Sequence, residues 1–317
     1  MALDTATVRL LEQLAEGDSK PLAESTPEEA RASMAMIAEL AGPGPKMDRV
    51  EERTIEGRDG KATLRILVPI KDPRGVIVYY HGGGWVLGSI DESDTVARKL
   101  AERTSCAVVL VDYRLAPEHR YPTAVDDSYA ALEWVGEHLA DIAGHEAPLI
   151  VAGGSAGGNL AAVMAVRARD RGGPHLALQV LIYPATEADF DRPSYTAPEN
   201  QVLLTREEMI WFWDHYLPDA SRRTEPDASP LHTEDLSGLP PAVVLTAEHD
   251  VLRDEGEAYA KRLEQANVTT DHKRYTGQVH GFFDLLMLPG SELGFQQVVK
   301  AVKACIVRVR KGQLARS

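Results

Sequence analysis

The 317-residue sequence contains only two cysteines, Cys106 and Cys305. Cys106 begins an apolar run that ends at Val111, so we expect a buried thiol rather than half of a disulfide. The sequence also lacks a CxxC motif and any cluster of His and Cys with metal-ligand spacing. Because protein metal sites usually need such clusters, we predict no metal site.

Basic residues are scarce relative to acidic ones. The chain has 34 Lys and Arg against 48 Asp and Glu, which gives a formal net charge of −14. Binding to nucleic acid depends on clustered positive charge that displaces the counterions of phosphate. The composition therefore argues against a nucleic-acid partner, and the acidity is expected to favour solubility.

Long apolar runs are missing as well. No stretch approaches the roughly 20 residues of a membrane-spanning helix, and the start of the chain lacks the basic and apolar regions of a signal peptide. We therefore expect a cytoplasmic protein without a membrane span. No break in composition divides the chain, so we predict one domain over residues 1–317.

Strand-like runs alternate with helical segments over most of the chain. The predicted strands are Val50–Ile55, Ala62–Val68, Gly75–Tyr80, Ala107–Asp112, Leu149–Ala152, Leu178–Tyr183, Ala242–Ala247 and Thr269–Tyr275. The predicted helices between and after them are Asp94–Thr104, Pro122–Leu139, Gly157–Arg171, Asp254–Ala266 and Ser291–Lys311. This order predicts an α/β fold with an eight-stranded, mostly parallel sheet flanked by helices, whose functional loops lie at the carboxyl ends of the strands.

Two segments fall outside this alternation. The first 48 residues have the pattern of two amphipathic helices. Residues 185–238 separate two strands and contain an aromatic helix, Met209–Trp213, that follows the capping box Thr205–Glu208. Because so many aromatic side chains are too apolar for an open surface, we predict that residues 1–48 and 185–238 form a helical cap over the functional site.

The most informative motif is Gly153-Gly-Ser-Ala-Gly157, which lies between a predicted strand and a predicted helix. Glycines two positions before and after a serine are typical of a strained turn that exposes the Ser155 hydroxyl as a nucleophile. A phosphate-binding turn is the alternative. The stretch has neither the lysine of a P-loop nor the GxGxxG spacing of a dinucleotide site, which favours the nucleophile.

A second glycine cluster, His81-Gly-Gly-Gly-Trp85, directly follows another predicted strand. Three successive glycines leave backbone N–H groups unshielded, so that two of them could hold the oxyanion of a tetrahedral intermediate. The N–H group of Ala156, next to the nucleophile, would be a further donor. A flexible hinge would also explain three glycines, but not their place between a strand and a tryptophan.

A serine hydroxyl is a poor nucleophile at neutral pH, so a base must take its proton and a third group must orient that base. In this class of fold both partners follow the nucleophile along the chain. His280 follows the last predicted strand in a loop flanked by small residues. His249 is the rival for the base.

Three acids compete to orient that base. Asp250 follows the strand that ends near Ala247, which places it at the required edge of the sheet. Glu248 and Asp254 are the alternatives, although Asp254 is also suited to capping the next helix. We predict Asp250.

Six motifs together resemble those of the hormone-sensitive-lipase-like branch of the α/β-hydrolases, which includes bacterial carboxylesterases. They are His81-Gly-Gly-Gly-Trp85, Asp112-Tyr-Arg-Leu-Ala-Pro-Glu-His119, Gly154-Ser-Ala-Gly-Gly-Asn159, Ser229-Pro-Leu231, Asp250 with Leu252-Arg-Asp254, and His280-Gly-Phe282. The resemblance spans nearly the whole chain.

The resemblance implies a specific active site and reaction. It implies an α/β-hydrolase fold with a helical cap, and hydrolysis of short- to medium-chain acyl esters with water and without a cofactor. The implied catalytic residues are Ser155, Asp250 and His280, and the implied oxyanion hole consists of the N–H groups of Gly83, Gly84 and Ala156.

Two positions depart from the family pattern. Gly154 replaces the Asp or Thr that usually precedes the nucleophile, and Val251 replaces the proline that usually follows the acid. Neither change removes a catalytic atom. Glycine at position 154 puts the rate of the reaction and the stability of the turn in question, but not the type of reaction.

Other functions remain compatible with these motifs. They fit an amidase or a deacetylase of a small natural product, and a non-catalytic binding protein that has kept the fold. Nothing in the sequence specifies the oligomeric state. A two-fold homodimer is the expectation because it is the commonest closed assembly.

Overall fold

The computed structural model describes residues 2–15, 20–39 and 42–314. Residues 1, 16–19, 40, 41 and 315–317 of the predicted domain lie outside the described residues. Eight strands form one sheet: β1 (Arg49–Gly57), β2 (Gly60–Val68), β3 (Val76–Tyr80), β4 (Ala107–Asp112), β5 (Leu149–Gly154), β6 (Leu176–Ile182), β7 (Ala242–His249) and β8 (Thr270–Val279).

The strand order across the sheet is β1-β2-β4-β3-β5-β6-β7-β8. β2 pairs antiparallel with β1 and β4, and every other neighbouring pair is parallel. The predicted eight-stranded, mostly parallel sheet is therefore confirmed. Because β3 and β5 are adjacent and parallel, the two glycine-rich motifs leave the same edge of the sheet side by side.

Helices cover both faces of the sheet. They are α1 (Thr5–Ala15), α2 (Pro27–Glu39), α3 (Ile90–Thr104), α4 (Thr123–Glu137), α5 (Leu139–Ala143), α6 (Ala156–Arg171), α7 (Pro193–Thr196), α8 (Arg206–Tyr216), α9 (Arg253–Gln265) and α10 (Pro289–Leu314). Side chains of β3 alternate between two apolar cores: Val78 and Tyr80 face the core of α4, α6 and α9, and Tyr79 faces that of α3 and α10. This double coverage explains why β3 is apolar throughout.

Some boundaries differ from the predicted ones. α3 begins at Ile90 rather than Asp94, because the Ser89 hydroxyl caps the helix by accepting a hydrogen bond from the N–H of Glu92. β8 continues past Tyr275 to Val279, beyond an irregularity in its pairing with β7. His280 therefore follows the strand directly, which ties its backbone to the sheet.

Charged pairs brace the segment after β4. Its Ala116–Pro117 and Tyr121–Pro122 peptide bonds are cis. Arg114 donates two side-chain hydrogen bonds to the fully buried carboxylate of Asp127, and Glu118 pairs with Arg31 of α2. These pairs join the segment to α4 and α2.

Candidate active site

Ser155 lies in a strained turn between β5 and α6. Its φ and ψ are 57° and −119°, values that a non-glycine residue rarely adopts. The Ser155 N–H donates to the carbonyl of Ile182 at 2.9 Å, which fixes the turn to β6. Gly157 is required because a Cβ atom there would overlap the carbonyl oxygen of Tyr80. The turn thus holds its conformation through backbone contacts on both sides.

The structure brings Ser155, His280 and Asp250 together in one hydrogen-bonded chain. His280 Nε2 lies 3.0 Å from Ser155 Oγ, and His280 Nδ1 lies 2.9 Å from Asp250 Oδ2. The Asp250 side chain is fully buried, and its other oxygen accepts a hydrogen bond from the Leu252 N–H at 2.9 Å. This geometry can move a proton from the hydroxyl to the imidazole while the carboxylate orients the ring.

The alternative residues have other contacts. Glu248 accepts a hydrogen bond from the N–H of Gly277 at 2.7 Å, and Asp254 accepts one from the N–H of Ser194 at 2.8 Å. His249 is buried, with its Nε2 3.9 Å from the Glu248 carboxylate. These contacts support structural roles in holding the loop before His280 and the start of α7.

The glycine loop faces the Ser155 turn. A Cβ atom at Gly82 would lie 3.6 Å from that of Ser155. Gly83 and Gly84 have φ values of 111° and 58°, which favour glycine, and the carbonyl of Gly83 accepts the Leu87 N–H at 2.8 Å. Within the described chain, the N–H groups of Gly83, Gly84 and Ala156 donate to no protein acceptor.

Aromatic side chains of α8 cover this loop. A Cβ atom at Gly84 would overlap the ring of Phe212. The Trp85 ring stacks on Tyr216, with centroids 4.3 Å apart and planes at 6°, and meets Trp213 edge-on at 4.9 Å. The aromatic residues of residues 185–238 therefore pack directly on the glycine-rich motif.

Arg31 attaches α2 to the same region. Its guanidinium donates to the carbonyls of Val86 and Ala116, each at 2.8 Å, and forms two bonds of 2.8 Å to the Glu118 carboxylate. The Arg31 hydrogen bonds lower the pKa of Glu118 to about 2. One side chain thus joins the N-terminal segment to the loop that follows the glycines and to the segment after β4.

Two residues that the sequence analysis did not single out lie beside His280. The Tyr183 ring is 4.8 Å from the imidazole, and its hydroxyl donates to Asp284 Oδ2 at 2.5 Å. The sequence signal for this pair was Gly154, because the absence of a side chain at that position leaves room beside Tyr183 and Asp284. His81 precedes Ser155 and so does not fit the chain order expected for the base. It is buried and stacked on Tyr113, and burial lowers its pKa to about 4.

Across residues 2–15, 20–39 and 42–314, no three His, Cys, Asp or Glu side chains are grouped so that they could hold a metal ion. In the same ranges, no helix combines the length and the apolar character needed to cross a bilayer.

Residues 77–284 match the model of a protein family with the alpha/beta hydrolase fold. The chain belongs to this family. It is 45% identical over 266 residues to carboxylesterase NlhH of Mycobacterium tuberculosis, an alignment that covers 81% of this chain and 83% of the relative. It is 41% identical over 290 residues to carboxylic ester hydrolase LipN of the same organism, with 88% and 77% covered.

A solved structure agrees with this membership. A hyperthermophilic esterase from Pyrobaculum calidifontis superposes with a TM-score of 0.89 at 40% sequence identity, covering 96% of this chain and 99% of that one. The predicted family, the α/β-hydrolase fold and the expectation of an enzyme acting on carboxylic esters are confirmed.

Proposed function

We propose that Ser155, His280 and Asp250 form the catalytic triad of this carboxylesterase, and that the reaction passes through an acyl-enzyme. The observation that carries the proposal is the unbroken hydrogen-bonded chain from Ser155 Oγ to the buried carboxylate of Asp250. A non-catalytic binding protein would not need an imidazole held at 3.0 Å from a partly buried serine hydroxyl in a strained turn.

The residues have distinct roles in this mechanism. His280 takes the proton of Ser155 as the hydroxyl oxygen attacks the ester carbonyl, and it returns that proton to the leaving alcohol. Water then attacks the acyl-enzyme by the same steps and releases the acid. Asp250 keeps the imidazole in the required tautomer and stabilises its positive charge.

We assign the oxyanion hole to the N–H groups of Gly83, Gly84 and Ala156. They lack protein acceptors in the described part of the chain and adjoin Ser155, so they can bind the negative oxygen of the tetrahedral intermediate. Such backbone donors need no reorganisation during the reaction. Each is expected to contribute about a hundred- to a thousandfold in rate.

We also propose that residues 1–48 and 185–238 form a cap that limits the size of the substrate. The ring of Phe212 lies over Gly84, and Arg31 fastens α2 to the loop beyond it. Space beside the oxyanion loop is therefore bounded by aromatic side chains, which suits short- to medium-chain acyl groups. The substrates in this proposal are a small ester and water.

Three variants measured on acyl esters of increasing chain length test the proposal. Ser155→Ala should reduce turnover to background, and Asp250→Asn should lower kcat by about 10⁴-fold while the protein stays folded. Asp254→Asn serves as the matched acid control and should retain most activity. Ester turnover by folded Ser155→Ala would refute the nucleophile, and loss of activity only in Asp254→Asn would reassign the acid.

Matched ester and amide substrates test the alternative reaction class. The proposal requires hydrolysis of the ester to exceed that of the amide at equal acyl length. A covalent label from a fluorophosphonate should appear on Ser155 and be absent from Ser155→Ala. An enzyme that prefers the amide would overturn the choice of substrate class while leaving the triad in place.

A further inference from the structure

Position 154, in the turn before Ser155, faces a polar pair formed by the Tyr183 hydroxyl and the Asp284 carboxylate. A Cβ atom at Gly154 would be 3.3 Å from Cε2 of Tyr183, 3.5 Å from its hydroxyl and 3.7 Å from Asp284 Oδ2. A side chain at position 154 would thus enter the space that the Tyr183 hydroxyl and the Asp284 carboxylate share. The glycine and this polar pair are spatially linked.

Tyr183 is the part of the pair that touches the active site. The residue is buried, its φ is 35°, and its N–H donates to the carbonyl of Leu245 at 2.7 Å. A positive φ in a tyrosine is strained and persists only when surrounding contacts hold it. Its ring packs 4.8 Å from the His280 imidazole at an angle of 58° and meets Phe282 edge-on. A displacement of the Tyr183 ring would therefore disturb a contact that holds the His280 imidazole in position.

Asp284 is what holds the hydroxyl of Tyr183. It lies four residues after His280, in a turn where the Asp284 N–H donates to the Gly281 carbonyl at 3.0 Å. The residue is open to solvent on one side. Dense protein around the carboxyl group raises the pKa of Asp284, and the Tyr183 hydrogen bond and the charge of His280 oppose that rise. Asp284 is thus near enough to His280 for the two charges to interact.

We propose that Asp284 is a positioning residue for the ester-hydrolysing site: it clamps Tyr183 against His280 and acts as a second carboxylate that favours the imidazolium. This inference rests on the proposed role of His280 as the base. The Asp284 carboxylate accepts the Tyr183 hydrogen bond that a polar side chain at position 154 could otherwise accept. Position 154 can then be glycine without leaving the Tyr183 hydroxyl unpaired.

Other titratable groups around the pair are few. Asp250 binds the opposite nitrogen of His280, and its charge also reaches Tyr183. Tyr79 approaches from β3, with Tyr113 beyond it. Among the described residues whose charges act on Asp284, His280 is the one cation. Removal of the Asp284 charge should therefore act on the His280 imidazole rather than on another basic group.

Asp284→Asn is the primary test, with Asp72→Asn, an exposed aspartate far along the sequence, as the matched control. Loss of the charged hydrogen bond should lower kcat/KM about three- to tenfold, mainly through kcat. Removing negative charge disfavours the imidazolium, so the acid limb of the kcat/KM profile should move to lower pH by about half a unit. An unchanged rate and profile would overturn the inference.

Two further variants separate positioning from general stability. Tyr183→Phe and Asp284→Asn should be non-additive, because each removes the same hydrogen bond. In a Gly154→Asp/Asp284→Gly variant the new carboxylate at position 154 can accept the Tyr183 hydrogen bond instead, so most of the lost kcat should be recovered. Additive losses, or no recovery in a folded double variant, would contradict the proposal.

These results are distinguishable from a failure of the triad itself. If the wild-type protein hydrolysed no ester, the proposed function would fail, and the role of Asp284 in that function would fail with it. If the wild type were active and Ser155→Ala inactive, an Asp284→Asn variant with wild-type kcat and pH profile would refute only the role of Asp284. Circular dichroism of each variant shows whether the fold is retained.

Discussion

The Ser155 turn and the glycine loop are fixed by backbone atoms, whereas the segments that cover them are attached by side chains. Around Ser155, Gly153 and Gly157 leave no room for a Cβ atom against neighbouring carbonyl groups. Over the loop, α8 is held by aromatic rings and α2 by the Arg31 guanidinium. Reaction geometry is thus tied to the sheet, while the covering surface can be altered one side chain at a time.

The sharpest way to break this comparison is to add one carbon atom to the Ser155 turn. In Gly157→Ala the new methyl group would overlap the carbonyl oxygen of Tyr80 at the end of β3. Neither backbone can retreat without disturbing the sheet, so we expect a loss of about 3 kcal/mol in the free energy of unfolding. Urea denaturation measures this loss, and ester hydrolysis should fall to near background.

Gly172→Ala is the matched control for that variant. Gly172 is the C-cap residue of α6, and no atom lies within 4 Å of its Cβ position. Its φ of 63° costs alanine only about 1–2 kcal/mol, and activity should persist. If Gly157→Ala were as stable and active as the control, the turn would be less constrained than its contacts indicate.

A change in the covering segment should act on selectivity instead. Phe212→Leu shortens the ring that lies over Gly84 while keeping an apolar side chain on α8. The ratio of kcat/KM for a long acyl ester to that for acetate should rise about tenfold, since each added methylene is worth roughly 1–3 kcal/mol in a fitted pocket. Turnover of the acetate ester should change little.

Met209→Leu provides the control on the same helix. Met209 is also buried, and a leucine of similar volume should leave the acyl-chain profile unaltered. If Phe212→Leu lowered activity equally on all chain lengths, α8 would support the oxyanion loop rather than limit the substrate. Phe212 would then help to fix the reaction geometry, and the assignment of this side chain to the covering surface alone would be wrong.

The same division explains what the sequence could predict. Ser155, Asp250 and His280 each follow a strand, and parallel strands bring their carboxyl ends to one edge, so local patterns indicated a shared site. The hydrogen bonds of 3.0 and 2.9 Å are consistent with that expectation. Backbone-determined features are readable because glycine spacing and strand ends are local signals.

Side-chain attachments were harder to predict for a physical reason. Arg31 meets Glu118 across 87 positions, and Tyr183 meets Asp284 across 101. No periodicity or spacing marks such pairs, because they depend on how distant loops meet after folding. The end of β8 was placed too early, at Tyr275. The strand continues to Val279 because its pairing with β7 resumes after an irregularity next to Ala247. Long-range pairing, rather than local propensity, sets these features.

The smallest expected effect concerns the pH dependence of the α2 attachment. The Arg31 hydrogen bonds lower the Glu118 pKa from 4.5 to about 2, so the folded state binds the proton less readily than the unfolded state. The stabilisation is therefore fully present above about pH 4.5 and is lost as the pH falls through about 2. Half of the Glu118 side chain is exposed, which limits the contribution to less than about 1 kcal/mol.

Glu118→Gln isolates this contribution from the other carboxyl groups. Urea denaturation of the variant and the wild type should give a difference in unfolding free energy that is largest near pH 7 and shrinks toward pH 3, because the wild type alone loses a charge. Asp72→Asn should show no such narrowing, since the Asp72 carboxylate is exposed. A difference that stayed constant with pH would mean that Arg31 holds α2 through the carbonyls of Val86 and Ala116 alone, and that the ion pair adds nothing to the attachment.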